Sequence, residues 1–201
     1  MGTFLGMLAN ATELMLNRRE RKAILEKLNV VIGLFYSEIG FGLLAYFSKL
    51  DPQLESIKND LLVAGDWTDQ DFLKISQRLK GYDYRIDTKE TELQALHAFF
   101  EDRYTLLLRI MENPNLLEHE SFTDLLLAVF HLREELAARD DLTRLPDTDL
   151  DHLAGDIQRA YGLLVQQWLA YMKHLKQNYP YLFSLAVRTN PFNTEASAIV
   201  K

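Results

Sequence analysis

The side chains best placed to do chemistry in this chain are its histidines and carboxylates, because it contains no cysteine. That absence removes thiol nucleophiles, iron–sulfur clusters, Cys-type zinc sites and disulfides together. In a helical protein the usual remaining route to a metal centre is a set of Glu-x-x-His pairs pointing inward from facing helices. The residues three places before the five histidines are Gln94, Leu116, Ala128, Asp149 and Tyr171, so Asp149-x-x-His152 is the one carboxylate variant. It falls in the first turn of a predicted helix, on the polar face, where a solvated pair that caps the helix is expected. No tightly bound metal and no cofactor are expected. His-Glu-x-x-His, P-loop, dinucleotide and Gly-x-Ser-x-Gly motifs are absent as well, so no catalytic residue is assigned.

Two polar residues stand beside apolar stripes and are the pocket candidates. Glu38 flanks the face bearing Phe35 and Ile39, and His97 flanks the face bearing Leu93, Phe100 and Tyr104, with Glu101 one turn on. If both faced one cavity they would be ligand- or proton-binding groups. The plainer expectation is a histidine satisfied by Glu101 and a carboxylate matched by Arg103 or Arg109.

The elements that must position these residues read as all-α. We expect a single bundle of about six helices over residues 23–188 with one extended loop, preceded by an apolar and basic segment over 1–22 and followed by a loosely held tail over 189–201. Residues 23–50 form the most hydrophobic helix, and Gly33, Ser37 and Gly40 share one of its faces, as if to admit a neighbouring backbone. Thr68 with Asp71 is a capping box opening a helix over 69–80. Tyr82, Tyr84 and Ile86 alternate with Asp83, Arg85 and Asp87, the period of extended chain. Helices over 88–112 and from Ser121, as cap, follow. The longest, over 148–178, carries Leu150, Leu153, Ile157, Tyr161, Leu164, Trp168, Met172 and Leu175 on one stripe. Pro180 opens a short last helix. In the tail, Asn190-Pro191-Phe192 matches the tripeptide bound by EH domains; an Asn-Pro turn with one docked ring is the plainer expectation.

Residues 3–16 are apolar but too short to span a bilayer, and Arg18, Arg19, Arg21 and Lys22 follow directly. These four cations are the membrane-surface candidates. The net charge of −7 argues against nucleic acid as the main partner.

The stretches ERKAILEKLNVVIGLFYSEIG, NPNLLEHESF and NYPYLFSLAVRTNPF resemble a family of bacterial proteins of unknown function that carry one or two membrane helices before a helical cytoplasmic region. The resemblance implies no activity and carries over no functional residue. Together these features lead to the expectation of a helical interaction or regulatory domain at the cytoplasmic face of the cell membrane, self-associating as a homodimer, with an anionic membrane surface as a partner. The alternative is a helical sensor holding a small molecule or lipid in its core.

Overall fold

The computed structural model describes residues 19–20, 23–87 and 93–200. Helix α1 spans Ala23–Leu50. Between Tyr36 and Gly40 it loosens into one π-helical turn. The cause is visible in the side chains. Phe35 and Tyr36 are adjacent in sequence yet both fully buried, and the wider turn lets two neighbours face the core. Tyr36 donates its hydroxyl hydrogen bond to the Leu164 carbonyl at 2.9 Å. Gly40 makes room for it: a Cβ there would stand 2.5 Å from the Tyr36 ring. Gly33 likewise admits Tyr171, whose hydroxyl would lie 3.1 Å from a Cβ, while Ser37 is exposed. The small residues of α1 thus receive aromatic rings, where the sequence suggested a neighbouring backbone.

After a 3-10 turn at Leu54–Ser56 and one helical turn at Lys58–Leu61, α2 runs over Asp69–Lys80 with the expected Thr68–Asp71 capping box. Tyr82, Tyr84 and Ile86 then turn inward from an extended segment whose Asp83, Arg85 and Asp87 face solvent; no strand occurs among the described residues. Helix α3 covers Leu93–Met111, and α4 covers Glu120–Ala137. The cap of α4 is His119, whose Nδ1 accepts from the Phe122 amide at 3.3 Å; Ser121, the expected cap, lies inside the helix. A neutral imidazole nitrogen can accept there as a hydroxyl would.

Helix α5, Asp147–Asn178, is the axis of the bundle. It packs most extensively against α4, and also touches α1, α2 and the final helix α6, Pro180–Arg188. All of the predicted stripe except half-buried Leu150 is buried. The bundle buries one continuous core. The expected loose tail begins later than the sequence suggested. Asn190 and Phe192 are buried, the Phe192 ring meeting Trp168 edge-on at 5.2 Å. Asn190 donates to the Leu61 carbonyl at 2.8 Å and accepts from the Phe192 amide at 2.9 Å. The tripeptide is a docked turn, as its plainer reading had it, and is not displayed for a partner.

Candidate functional site

On the outer side of the α4–α5 pair, two i,i+4 couples face one another: His131 with Glu135 on α4, and His152 with Asp156 on α5. A spacing of four residues sets both members of a couple on one helix face, and the antiparallel hairpin closed by residues 138–146 brings the couples together. The Nε2 atoms of His131 and His152 each lie 3.4 Å from Asp156 Oδ2. His152 Nε2 is also 3.4 Å from Glu135 Oε2, and His131 Nε2 is 3.8 Å from Glu135 Oε1. One donor atom each of His131, Glu135 and Asp156 fall within 4.8 Å of one another.

Burial grades the cluster from surface to floor. The imidazoles are 45% and 52% exposed, whereas Asp156 is 3% exposed. Asp156 Oδ2 makes no hydrogen bond. An acceptor so buried is normally satisfied, and each exception calls for a reason. Around these four side chains stands an ordered outer layer. Arg139 reaches Glu135 Oε2 at 2.9 Å and grips Asp149 in a fork at 2.6 and 2.7 Å. Those hydrogen bonds hold the Glu135 and Asp149 carboxyls below their ordinary pKa, so both are anionic at neutral pH. Arg159 stands 3.4 Å from Asp156 Oδ1, leaving Oδ2 turned to the imidazoles. Partners of this kind orient and tune ligands in metal sites.

Three of these side chains, His131, Glu135 and Asp156, are placed to share one ion, and His152 stands beside them, its contact with Glu135 running to Oε2 where that of His131 runs to Oε1. Zinc–nitrogen and zinc–oxygen bonds of ~2.0–2.2 Å in a tetrahedron imply ligand–ligand edges of roughly 3.3–3.6 Å. Three of the four imidazole–carboxylate separations are 3.4 Å and the fourth 3.8 Å. Two imidazoles with two carboxylates suit zinc, and with open positions iron or manganese; magnesium and calcium prefer oxygen alone. Asp149 and His152 do not form the capping pair expected: α5 has no side-chain cap, Asp149 takes Arg139, and His152 faces Glu135 and Asp156.

The other candidates lie elsewhere. His97 sits half-buried with its Nε2 3.7 Å from Glu101, the plainer of its two expected roles. Glu101 in turn accepts from Arg133 Nη2 at 2.5 Å. Glu38 is exposed. Arg103 comes to it, yet donates to its backbone carbonyl, at 2.8 Å, while pairing with Asp102. Helix α1 carries Glu38 on its exposed side, so the buried carboxylate matched by an arginine is not found; Arg103 meets the carbonyl instead. Arg19 is exposed; Arg18, Arg21 and Lys22 lie outside the described residues.

A second feature adjoins this cluster on α5. A cavity of about 450 Å³ opens between the end of α2, the extended segment and α5, lined by Lys80, Tyr82, Tyr84, Gly155 and Arg159 among others.

Residues 24–188 match the family described as the C-terminal helical domain of "Uncharacterized protein MJ1433". The chain is 48% identical over 187 residues to Uncharacterized protein MJ1433 of Methanocaldococcus jannaschii, an alignment covering 93% of this chain and 75% of that protein. No solved structure matches. The chain belongs to the family of the MJ1433 C-terminal helical domain. That relative is archaeal, and neither match lends support to the bacterial, membrane-anchored character implied by the resemblance noted above.

Proposed function

We propose that this domain binds one divalent transition-metal ion of the zinc class between α4 and α5, through His131, Glu135, His152 and Asp156. The observation that carries the reading is Asp156 Oδ2: buried, without a hydrogen bond, and 3.4 Å from two imidazole nitrogens that come from different helices. His131, Glu135 and Asp156 already offer donors within 4.8 Å of one another; His152, swung in from its 3.4 Å contacts with the same two carboxylates, would complete a tetrahedral sphere and leave no position for substrate, the arrangement of structural rather than catalytic zinc. The ion would act as a clamp. It ties the α4–α5 hairpin at the end where the 138–146 connection turns, and it neutralises the two carboxylates. This gives an interaction or regulatory role a physical form, since occupancy sets the rigidity of the pair of helices that packs most extensively in the bundle.

The competing arrangement is a set of protonated imidazoles paired with carboxylates and no metal. Competition against a chromophoric zinc chelator at neutral pH separates the two. One equivalent should bind, and His131→Ala and His152→Ala should each weaken it by about 100-fold or more. His97→Ala is the control, because its pairing with Glu101 involves neither cluster. Wild-type protein that takes no zinc from the chelator, or a His97→Ala loss as large as the other two, would sink the proposal.

The membrane-surface role and the homodimer rest on residues 3–22, of which only Arg19 and Glu20 are described. Helix α1 is long and apolar enough to cross a membrane by length and composition, but its Leu28, Phe35, Ile39, Leu43 and Phe47 are spent on the domain core. We therefore place any lipid contact in the first 22 residues. Co-sedimentation with anionic vesicles, compared with a chain starting at Ala23, tests this: equal binding by both would refute it.

A further inference from the structure

The cavity beside the hairpin has a charge unlike that of the rest of the molecule. The chain carries a net −7, yet the lining contains two cations and no carboxylate. Lys80 is exposed and makes no ion pair among the described residues. Arg159 is 61% exposed, and among the described residues its one ionic contact is the 3.4 Å approach of Nη1 to Asp156 Oδ1. A guanidinium offers five donors in a plane, so most of this one is uncommitted.

The floor and the wall supply the rest of a binding site. Gly155 lies inside the 32-residue α5, where glycine is less favourable than alanine. Gly155 is exposed, and no atom beyond its own helix backbone and chain neighbours lies within 4 Å of where a Cβ would be. Gly162, two turns on, is different, because the Tyr84 ring fills its space at 3.2 Å. The wall is the pair Tyr82 and Tyr84, packed edge to face at 4.9 Å. Both hydroxyls are engaged elsewhere, Tyr82 with the Asp51 carboxylate and Tyr84 with the Leu79 carbonyl. What they present to the cavity is ring surface. The volume, about 450 Å³, is in the range of small-molecule sites.

We propose that this cavity binds a small aromatic anion, its charged group held by Arg159 and Lys80 and its flat body lying over Gly155 against the tyrosine rings. Bidentate acceptance from an arginine suits phosphate and carboxylate equally. The proposal uses none of the metal ligands and shares with the zinc reading only Arg159, which meets Asp156 Oδ1.

The test is a titration of ¹⁵N-labelled protein with phenyl phosphate, benzoate and phenol, followed by amide shifts. Phenyl phosphate or benzoate should move the Gly155 and Gly162 amides and the Arg159 Nε signal in a saturable way, and whichever binds more tightly identifies the charged group. Gly155→Leu, which fills the floor, and Arg159→Met, which removes the anion contact, should each raise the dissociation constant about tenfold or more. His131→Ala should leave it unchanged. Thermal melts of both cavity variants show whether they fold, and the wild-type titration needs neither of them. The proposal is overturned if phenol binds as well as the two anions, if no saturable shift reaches Gly155 and Gly162 in wild type, or if both folded variants keep wild-type affinity.

Discussion

Replacing Asp156 by Asn changes one oxygen to an amide nitrogen in a side chain of nearly the same shape, so it isolates charge from packing. Without metal the substitution should be mild. The carboxylate lost was buried at the floor of the cluster, but its partners are two half-exposed imidazoles and an Arg159 that is 61% exposed, all able to return to water; a change within about 1 kcal/mol is expected. With metal the two proteins should part. A ligand present at 100 times its dissociation constant stabilises the folded state by about 2.7 kcal/mol. For a chain of this length each kcal/mol is worth roughly 2–4 °C in Tm, so zinc should raise the wild-type melt by roughly 5–11 °C. An amide in place of a ligating carboxylate should weaken binding about 100-fold. At the same zinc concentration the ratio of ligand to dissociation constant then falls to about one, and the stabilisation to about 0.4 kcal/mol, or about 1 °C. Differential scanning calorimetry with and without zinc reads both numbers. A variant that keeps the whole wild-type shift would show that Asp156 is not a ligand, and a wild-type protein with no shift would refute the site.

Three further outcomes follow from the packing. Trp168→Ala removes a fully buried side chain at the centre of α5 and should cost ~3–5 kcal/mol in a urea melt; an unchanged midpoint would place Trp168 outside the core. Asn190→Ala strands the Phe192 amide and takes one of two donors from the Leu61 carbonyl, which keeps the Val63 amide, at about 1–3 kcal/mol for the group left buried without a partner, and should expose the tail to limited proteolysis; a protease-resistant tail would contradict the docking. Asp51 is the opposite case, since burial holds its carboxyl above the ordinary value despite hydrogen bonds from Tyr82 and the Gln53 amide. Its raised folded-state pKa means the ionised group penalises folding above that pKa, and the penalty disappears as pH falls through it towards the unfolded value. Asp51→Asn should therefore gain stability relative to wild type at neutral pH and lose that gain on acidification; a gap that widens in acid would reverse the sign.

Much of the fold is legible because α-helices announce themselves twice, by stripe and by stop signal. The eight-residue stripe of α5 and the Thr68–Asp71 box needed no tertiary information, and the alternation of Tyr82 to Asp87 correctly separates inward rings from outward charges. The errors arise where one residue type can serve two structures. Gly33 and Gly40 could admit a backbone or a ring, and only the positions of Tyr171 and Tyr36 decide. Ser121 is a better cap by composition than His119, yet His119 occupies the non-helical residue that precedes the helix. Glu38 beside an apolar face could have turned in, but the π turn carries it outward. The cluster does not follow the Glu-x-x-His pattern of bundle metal sites; its couples run in the reverse order at a spacing of four, His131-x-x-x-Glu135 and His152-x-x-x-Asp156. Each couple alone is an ordinary helix-surface pair. Only the register of α4 against α5 makes four donors converge, and no local pattern encodes that register.

The most direct test of the zinc clamp is an anomalous-difference map from crystals grown with equimolar zinc, collected on both sides of the zinc absorption edge. A peak between α4 and α5 at about 2.0–2.2 Å from the nearest nitrogen or oxygen of His131, Glu135, His152 and Asp156 is the expected result. An empty hairpin with the four side chains still paired to one another, or zinc found instead on the His97–Glu101 couple, would contradict it.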